Sequence, residues 1–217
     1  MTHDLETRAR LLQAAAQLFA ARGFKDVTVR EICRAARANV AAINYHFGDK
    51  VGLYREVLQV AIDAIRETND AARTAGAGRP PEEKLRRYLV VFLQRALSSE
   101  HDTIHRLLQR EVDQPTPAMD ALVEQALRPR VEYLASVVAE MTNSDPADPN
   151  VLYCVGAIMA QTIIYVKMNP IAQRLGFTFA ATRANIEAAA ERIADFSIGG
   201  IRRMTERVSV APRRAAK

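Results

Sequence analysis

The sequence predicts an all-α protein, and three observations lead to that fold class. Glycine and proline together number 18 of the 217 residues, about 8%, against an average near 12%. Alanine numbers 37, and alanine favours helix most because it loses no side-chain rotamers there. Apolar residues recur at helical spacing along most of the chain, without the alternation typical of strands. The length allows one large domain or two small ones, with a core of their own.

Three helices are predicted in the first fifty residues. The first carries an apolar stripe at helical spacing, made of Leu11, Leu12, Ala15, Leu18 and Phe19. Gly23 ends this helix, because glycine readily adopts the left-handed conformation that follows a last helical turn. A second, short helix begins with Thr28 and Glu31 at the spacing of a capping box. A third begins after Asn39, a favourable N-cap, and ends at Gly48.

Helices continue through the rest of the chain. Asp49 can cap a long fourth helix that begins near Lys50 and ends at a loop rich in glycine and proline at 75–81. Thr116 followed by Pro117 predicts another helix start. Pro129 predicts a kink or break in that helix, which runs to about residue 141, since proline lacks the backbone N–H that a helix interior uses. The other predicted helices span about 82–97, 101–113, 150–168 and 180–207.

The composition excludes a disordered chain, a collagen-like chain and a disulfide scaffold. Cys33 and Cys154 lie far apart inside helical patterns, which predicts buried thiols in a reducing compartment. Residues 202–217 carry six Lys and Arg against one Glu, a surplus equal to the net charge of +5 for the whole chain. The charged start, and the lack of an apolar run of about 18–20 residues, predict a cytoplasmic protein with no export signal and no membrane span.

The second and third helices, joined by a tight turn and supported by the first, match a helix-turn-helix. In that motif the second helix of the pair enters the major groove of DNA. Thr28 and Asn39 place helix N-termini where phosphate groups can bind. The third helix also carries small residues and polar donors that suit an approach to bases, namely Ala41, Ala42, Asn44, Tyr45 and His46. The pattern alone leaves a three-helix bundle without a ligand open.

Residues 8–58 resemble the DNA-binding domain of TetR-type transcriptional repressors. The resemblance rests on four segments in family order: R-x-x-L-L-x-A-A-x-x-L-F-A-x-x-G-F from Arg8, T-V-R-E-I from Thr28, N-Y-H-F from Asn44 and G-D-K-x-G-L-Y from Gly48. The run A-A-I-N-Y-H-F and the stretch from Gln109 to Pro117 are similar to the CecR-like subgroup. The resemblance implies an all-helical homodimer that binds double-stranded DNA, with a larger C-terminal domain for dimerisation and for a small-molecule effector.

The resemblance also implies roles for single residues. Phosphate-binding positions of the family match Thr28, Tyr45, His46 and Lys50. Base-reading positions match Arg30 and the stretch 39–44, in which the candidates are Asn39, Val40, Ala41, Ala42 and Asn44. Residues at core spacing are assigned to packing only: Phe19, Ile32, Ile43 and Phe47.

Two features depart from the family pattern. The family turn usually reads Ala-Gly-Val-Ser, whereas Arg37 stands here at the glycine position. A left-handed conformation would cost stability for arginine, so we expect a locally different turn, with Arg37 contacting a phosphate. The third helix also lacks Arg and Lys, so bidentate guanine contacts from it are absent. Specificity is then expected from Arg30, Asn39, Asn44 and the shape of the DNA.

The predicted domains are a DNA-binding domain at 1–50, an effector-binding and dimerisation domain at 51–207 and a basic tail at 208–217. The last helix has a near-heptad seam made of Ile186, Ala190, Ile193, Ser197, Gly200, Ile201 and Met204. Together with the apolar helix 150–168, this last helix, 180–207, predicts a four-helix dimer interface. Burial of both helices within their own subunit is the alternative.

Glu111 is the main sequence signal for an effector site. It falls within the apolar stripe of its helix, where a carboxylate needs a partner because unpaired burial is costly. Internal pairing with Arg110 or Arg87, a ligand contact, and metal binding by His101 with His105 all stay open. No third metal ligand is evident, so we predict no metal and no cofactor. The other effector candidates are Tyr88, His105, Arg110, Gln161, Tyr165 and Met168.

These features favour a DNA-binding transcriptional regulator, most simply a repressor that a small molecule releases from a pseudo-palindromic operator. We expect no enzyme, because the sequence has no phosphate-binding loop, dinucleotide fingerprint or nucleophile–base spacing. Glu111 with His105 would be the residues of a small helical enzyme. A scaffold or adaptor without a DNA role is the other alternative, but it has no need for the donors grouped around Asn39 and the N-Y-H-F run.

Overall fold

The computed structural model describes residues 2–98, 101–167, 174–176 and 179–210. Within these ranges the chain is helical and contains no strand, which confirms the predicted fold class. The helices are α1 (Thr2–Arg22), α2 (Val29–Ala36), α3 (Val40–Phe47), α4 (Lys50–Gly76), α5 (Pro81–Ala96), α6 (Asp102–Asp113), α7 (Met119–Leu122), α8 (Arg128–Thr142), α9 (Pro149–Lys167) and α10 (Arg183–Val210). A π-helical turn, Val123–Leu127, joins α7 to α8.

The chain divides into two compact units. The first contains described residues of 1–67 and 99–127, and the second contains described residues of 68–98 and 128–217. The boundary that the sequence suggests after residue 50 differs from this division, because the start of α4 and the later helices α6 and α7 belong to the first unit. Helix α10 continues to Val210, three residues past its predicted end, and the remaining tail lies outside the described residues.

The core of the first unit is built from α1 to α4 together with α6. Phe19, Ile32 and Ile43 are fully buried and Phe47 is nearly so, which confirms that these four residues serve packing. Helix α6 packs against α1 and adds Leu107 to the same cluster. The first unit is therefore built from two segments that are distant in the sequence.

The junction of α3 and α4 is held by two local features. The carboxylate of Asp49 accepts a hydrogen bond from the N–H of Gly52 at 2.7 Å, so the predicted cap of α4 is confirmed. A Cβ atom on Gly52 would lie 2.0 Å from the carbonyl oxygen of Phe47, so only glycine fits there. The close approach fixes the start of α4 against the end of α3.

The second unit packs α5, α8, α9 and α10 around one apolar cluster. Its surface carries an ion pair between α5 and α10, in which the guanidinium of Arg86 contacts Glu191 and, at 2.6 Å, Asp195. Exposed ion pairs of this kind contribute little stability, so the apolar cluster holds the unit together.

The segment after α6 differs in detail from the prediction. The expected helix start at Thr116 and Pro117 comes too early, because α7 begins at Met119. The Thr116 hydroxyl accepts from the N–H of Ala118 at 3.2 Å, as the predicted cap would, and also donates to Glu111 at 2.8 Å. The expected irregularity near Pro129 is present as the π-helical turn that immediately precedes α8. Such turns accommodate a residue that cannot complete the regular helical hydrogen bonds.

Both cysteines are buried and free, as predicted, and burial raises the pKa of the Cys33 and Cys154 thiols. None of the helices in the described part of the chain has the length and apolar character needed to cross a bilayer. Across the same residues, no group of three or more potential ligands is arranged to hold a metal ion.

Candidate nucleic-acid interface

Helices α2 and α3 have the predicted helix-turn-helix arrangement, and α1 packs against both. The capping box of α2 is confirmed: the Thr28 hydroxyl accepts from the N–H of Glu31 at 3.3 Å, and the Glu31 carboxylate accepts from the N–H of Thr28 at 2.8 Å. At α3 the side-chain oxygen of Asn39 accepts from the N–H of Ala42 at 2.9 Å. Thr28 and Asn39 are exposed, so both helix N-termini, with their positive ends, lie at the surface.

The turn between α2 and α3 corrects one expectation. Arg37 adopts the left-handed conformation, with φ 51° and ψ 47°, so the turn has a left-handed residue at this position after all. The N–H of Ala38 donates to the carbonyl of Cys33 at 2.9 Å, which closes α2 as a glycine-terminated helix would close. The Arg37 side chain is exposed and lies between the two helices along the chain, where it can contact a phosphate.

The predicted DNA-contact residues form an exposed surface on α2 and α3. Tyr45 is 77% exposed and Val40 is 44% exposed, which is high for side chains of such apolar character. Ala42 and Lys50 are half-buried. The other exposed members are Thr28, Arg30, Arg37, Asn39, Ala41 and Asn44. Polar donors and small residues thus share the outer surface of the motif, above the buried packing residues.

His46 is placed differently from its neighbours. Its side chain is only 8% exposed, and its Nε2 lies 3.4 Å from a carboxylate oxygen of Asp4 on α1. The imidazole also packs edge-on against the Tyr45 ring, with centroids 4.9 Å apart. This geometry favours a positioning role, in which His46 holds the ring of Tyr45 while Tyr45 faces outward.

Lys50 begins α4 and lies over the ring of Phe24, with its Nζ 4.3 Å from the ring centroid. Burial lowers the pKa of Lys50, and the charges of Asp26 and Glu31 act in the opposite direction. The contact with Phe24 limits the freedom of a long side chain, which reduces the entropy that a bound phosphate would have to remove.

The predicted effector residues do not gather in one unit. His105, Arg110 and Glu111 lie in the first unit, whereas Tyr88, Gln161 and Tyr165 lie in the second; Met168 lies outside the described residues. The effector candidates are therefore divided between the two units.

Glu111 is paired within its own unit. Its Oε2 accepts a hydrogen bond from the Tyr54 hydroxyl at 2.5 Å, and its Oε1 accepts from the N–H and the hydroxyl of Thr116, both at 2.8 Å. The residue is fully buried. Internal pairing is thus the outcome among the open alternatives, but the partners are Tyr54 and Thr116; Arg110 instead donates to the carbonyl of Ala21 at 2.8 Å.

The candidates of the second unit also have neighbours there. The Gln161 amide donates to the hydroxyl of Ser197 at 3.0 Å, which ties α9 to α10. The Tyr165 ring packs edge-on against Phe179, with centroids 4.9 Å apart. Tyr88 is only 1% exposed, and among the described residues its hydroxyl has no hydrogen-bond partner.

Sequence reasoning missed Arg130, a guanidinium buried in the second unit. Its Cζ lies 4.0 Å from the ring centroid of Phe92 and 6.0 Å from that of Tyr88. A signal was present, because Arg130 precedes Leu134 and Val138 at intervals of four and so falls on the apolar stripe of its helix.

Helices α9 and α10 leave one apolar face exposed. Most of the predicted seam residues of α10 pack inside their own unit, since Ile186, Ala190, Ile193, Ser197 and Ile201 are buried there, whereas Gly200 is exposed. The exposed face lies beside a groove of about 180 Å³ and carries both large apolar side chains and glycines. A Cβ atom added to any of these glycines would meet no other atom within 4 Å. The residues of the face are Leu152, Tyr153, Ile163 and Phe196, with Gly156, Gly199 and Gly200.

Two family models match the chain. The model described as "HTH-type transcriptional dual regulator CecR, C-terminal domain" matches residues 81–201, more than half of the chain. The model described as "Bacterial regulatory proteins, tetR family" matches residues 11–57, which contain α2, α3 and their turn.

Individual proteins that are similar to this chain come from the same family. The HTH-type transcriptional dual regulator CecR of Shigella flexneri is 26% identical over 183 residues, which is 80% of this chain and 82% of that protein. The "Probable acrEF/envCD operon repressor" of Escherichia coli strain K12 is 34% identical over 90 residues, 42% of this chain and 40% of that protein. The crystal structure of the TetR family regulator PfmR from Thermus thermophilus superposes with a TM-score of 0.64 at 18% identity, covering 88% of this chain and 97% of that one, and shows a shared fold.

Proposed function

The chain belongs to the TetR family of bacterial transcriptional regulators, in the subgroup defined by the CecR C-terminal domain, and on that premise we propose that it represses transcription by binding a pseudo-palindromic operator as a homodimer until a small molecule releases it. The observation that carries the proposal is the exposed, N-capped α3 with Tyr45 and Asn44 on its outer surface. Residues 1–50 act as the DNA-binding domain, and residues 51–207 bind the effector and dimerise.

The surface of α2 and α3 supports a division of labour on DNA. Exposed N-caps offer backbone N–H groups to phosphates, while Arg37 and Lys50 add positive charge on either side of α3. Asn44 and Arg30 are exposed side chains able to donate to base edges. Phosphate contacts then set the position of α3 in the major groove, and a small number of base contacts select the sequence.

The exposed face of α9 and α10 supports a homodimer. Its large apolar side chains form a group, whereas exposed apolar residues on a protein surface usually occur singly. The group consists of Leu152, Tyr153, Ile163 and Phe196. The glycines at 156, 199 and 200 leave room for a helix to approach closely. A second copy of the chain satisfies both features through a symmetric interface, and symmetry in the protein then matches the symmetry of a palindromic operator.

Other function classes are less well supported. The family and the relatives are transcriptional regulators and not enzymes. A scaffold without a DNA role would not need the exposed donors of α3. The chain shares the role of a repressor with its relative in Escherichia coli, the probable acrEF/envCD operon repressor, whereas the relative in Shigella flexneri is a dual regulator. A protein that acts on chromosomal operators works in the cytoplasm, where we place this chain.

The proposal is tested by a mobility-shift titration of the full chain on duplex DNA from upstream of its own coding sequence. Wild type is expected to form a saturable complex that a scrambled duplex does not displace. The double variant Asn44→Ala with Tyr45→Ala should lose the complex while keeping its helical circular dichroism. Equal binding to the scrambled duplex would contradict operator recognition.

The dimer is tested separately by sedimentation. Wild type should sediment at twice the chain mass of 24.1 kDa. Phe196→Asp, which places a charge on the exposed apolar face, should sediment as a monomer, whereas Glu187→Asp on the same helix should leave the dimer intact. A wild-type monomer that binds one half-site at full affinity would contradict the homodimer.

A further inference from the structure

Arg130 is a charged group inside the second unit that lacks a charged partner among the described residues. Arg130 is only 9% exposed. Within the described ranges no ion pair is found for Arg130, and its Nε has no hydrogen-bond acceptor. Arginine does not lose its proton in proteins, so the side chain cannot escape this cost by becoming neutral. The ring of Phe92, at 4.0 Å, offers only partial compensation.

Tyr88 places a second donor beside the same charge. The residue is fully enclosed, and its hydroxyl also lacks a partner in the described part of the chain. Burial raises the pKa of Tyr88, and the nearby guanidinium of Arg130 acts in the opposite direction. The phenol therefore stays protonated at neutral pH and can donate a hydrogen bond.

Two buried donors, one of them charged, require an acceptor with negative charge. An internal carboxylate would serve, but within the described residues none pairs with Arg130. A carboxylate accepts from a guanidinium and from a hydroxyl at once, and charge-assisted bonds of this kind are the stronger ones. The neighbouring aromatic rings of Tyr88, Phe92 and Tyr133 suit an apolar body attached to that carboxylate.

We infer that Arg130 and Tyr88 form an anion site inside the second unit, and that the effector is a small organic acid whose carboxylate binds to both. This inference rests on the proposed function, since it gives the chemical class of the effector of that regulator. Phe92 lies against the guanidinium and keeps its plane in place, so the charge is oriented before the acid enters.

Calorimetric titration of the full chain tests the site with three anions, namely benzoate, octanoate and inorganic phosphate, and with uncharged benzamide. At least one organic acid should bind with one site per chain, and benzamide should bind at least tenfold more weakly than benzoate. Arg130→Met should weaken binding of the acid at least tenfold, and Tyr88→Phe should weaken it several-fold. Phosphate binding better than either organic acid would overturn the organic-acid class.

Matched variants separate the site from general charge and from folding. Arg128→Met removes a charge from an exposed position of the same helix, and Ser136→Ala removes a half-buried hydroxyl of that helix, one that donates to a backbone carbonyl outside the proposed site. Both should leave binding of the acid unchanged. Arg130→Met should fold at least as stably as wild type, because replacing an unpaired buried charge by an apolar side chain removes a desolvation cost. The proposal is overturned if neither organic acid binds, or if binding persists in Arg130→Met.

The two proposals fail in different experiments. If the chain does not bind the operator when no anion is present, the proposed function is wrong, whereas the anion site still stands on the acid-binding data. Operator binding that occurs while no organic acid binds in an Arg130-dependent way would remove only the anion site.

Discussion

The phenol of Tyr54 donates a 2.5 Å hydrogen bond to the carboxylate of Glu111, joining α4 to α6 across 57 positions of the sequence. The same carboxylate holds the loop after α6 through both polar groups of Thr116. Glu111 therefore fixes three segments of the first unit to one another, and its fully buried position makes each of these hydrogen bonds matter for stability.

Replacing Tyr54 by Phe should lower the free energy of unfolding by about 1–3 kcal/mol, because the buried carboxylate then keeps an oxygen without its donor. Urea unfolding followed by circular dichroism measures the change. Tyr153→Phe, at an exposed position on α9, is the control and should leave the unfolding midpoint unchanged. An unaltered midpoint for Tyr54→Phe would mean that the hydrogen bond to Glu111 adds no stability.

Alkaline conditions should weaken the same contact. Burial, then the hydrogen bond to Glu111 and its charge, raise the pKa of Tyr54 above the ordinary value of 10.0. A raised pKa in the folded state means that the contribution to stability is complete below the ordinary pKa and is lost as the pH rises above it. Unfolding free energies measured at about pH 8, 10 and 11 should fall with pH, and the fall should be shallower for Tyr54→Phe. Parallel slopes for the two proteins would contradict the assignment.

Arg37→Gly should stabilise the protein by about 0.5–1 kcal/mol, because it relieves a left-handed arginine, an effect partly offset by the greater freedom of glycine in the unfolded chain. The matched variant Arg34→Gly, at an exposed helical position of α2, should instead destabilise by about 0.5–1 kcal/mol. Thermal unfolding of both variants decides the matter: a loss of stability for Arg37→Gly would show that the arginine makes a compensating contact.

The carboxyl of Glu31 should titrate well below its usual range. The hydrogen bond from Arg22, followed by those from Thr28, lowers the pKa of Glu31 from 4.5 to about 2. Since the folded-state value is depressed, the contribution of Glu31 to stability is present above pH 4.5 and is lost as the pH falls toward 2. NMR titration of the side-chain carboxyl should show this value, and Arg22→Met should raise it toward the ordinary one. A pKa that does not move in Arg22→Met would remove the ion pair as the main cause.

Lys50 and Asn44 should affect DNA binding in different ways. Lys50→Met should weaken binding to every duplex and reduce the salt dependence of log K by about 0.9. Asn44→Ala should instead change the preference among sequences by about 1–3 kcal/mol at the affected base pair. Arg106→Met, which removes a charge from an exposed ion pair on α6, is the control for net charge. The division into phosphate and base contacts is wrong if Lys50→Met alters the preference among DNA sequences while the salt dependence of log K stays the same.

Local signals predicted most of the helix boundaries. The caps at Thr28, Asn39 and Asp49 follow from the sequence because each partner lies three residues away. Helical spacing likewise identified the buried residues of α1 to α3. The turn at Arg37 was predicted wrongly because local preference alone argues against a left-handed arginine, whereas the tertiary fold of the motif keeps the turn.

Long-range partners could not be predicted in this way. The apolar stripe showed that Glu111 is buried, but only the fold brings Tyr54 to it. The same reasoning applied to α8 singles out Arg130, whose contact with Phe92 again depends on two helices that lie far apart in the sequence. The distribution of effector candidates over two units has the same cause, because spacing along one helix carries no information about which helix faces it.

The first unit is built from two separate segments of the chain, and this affects how it can fold during synthesis. Leu107 and Glu111 complete a core that begins with Phe19 and Tyr54, yet a ribosome makes them long after α4 has begun. A nascent chain that ends before α6 exposes the apolar surface of α1 that Leu107 later covers. Helices α2 and α3 therefore reach their final packing only after α6 has been translated, and a polypeptide that stops before α6 lacks part of the core that supports them.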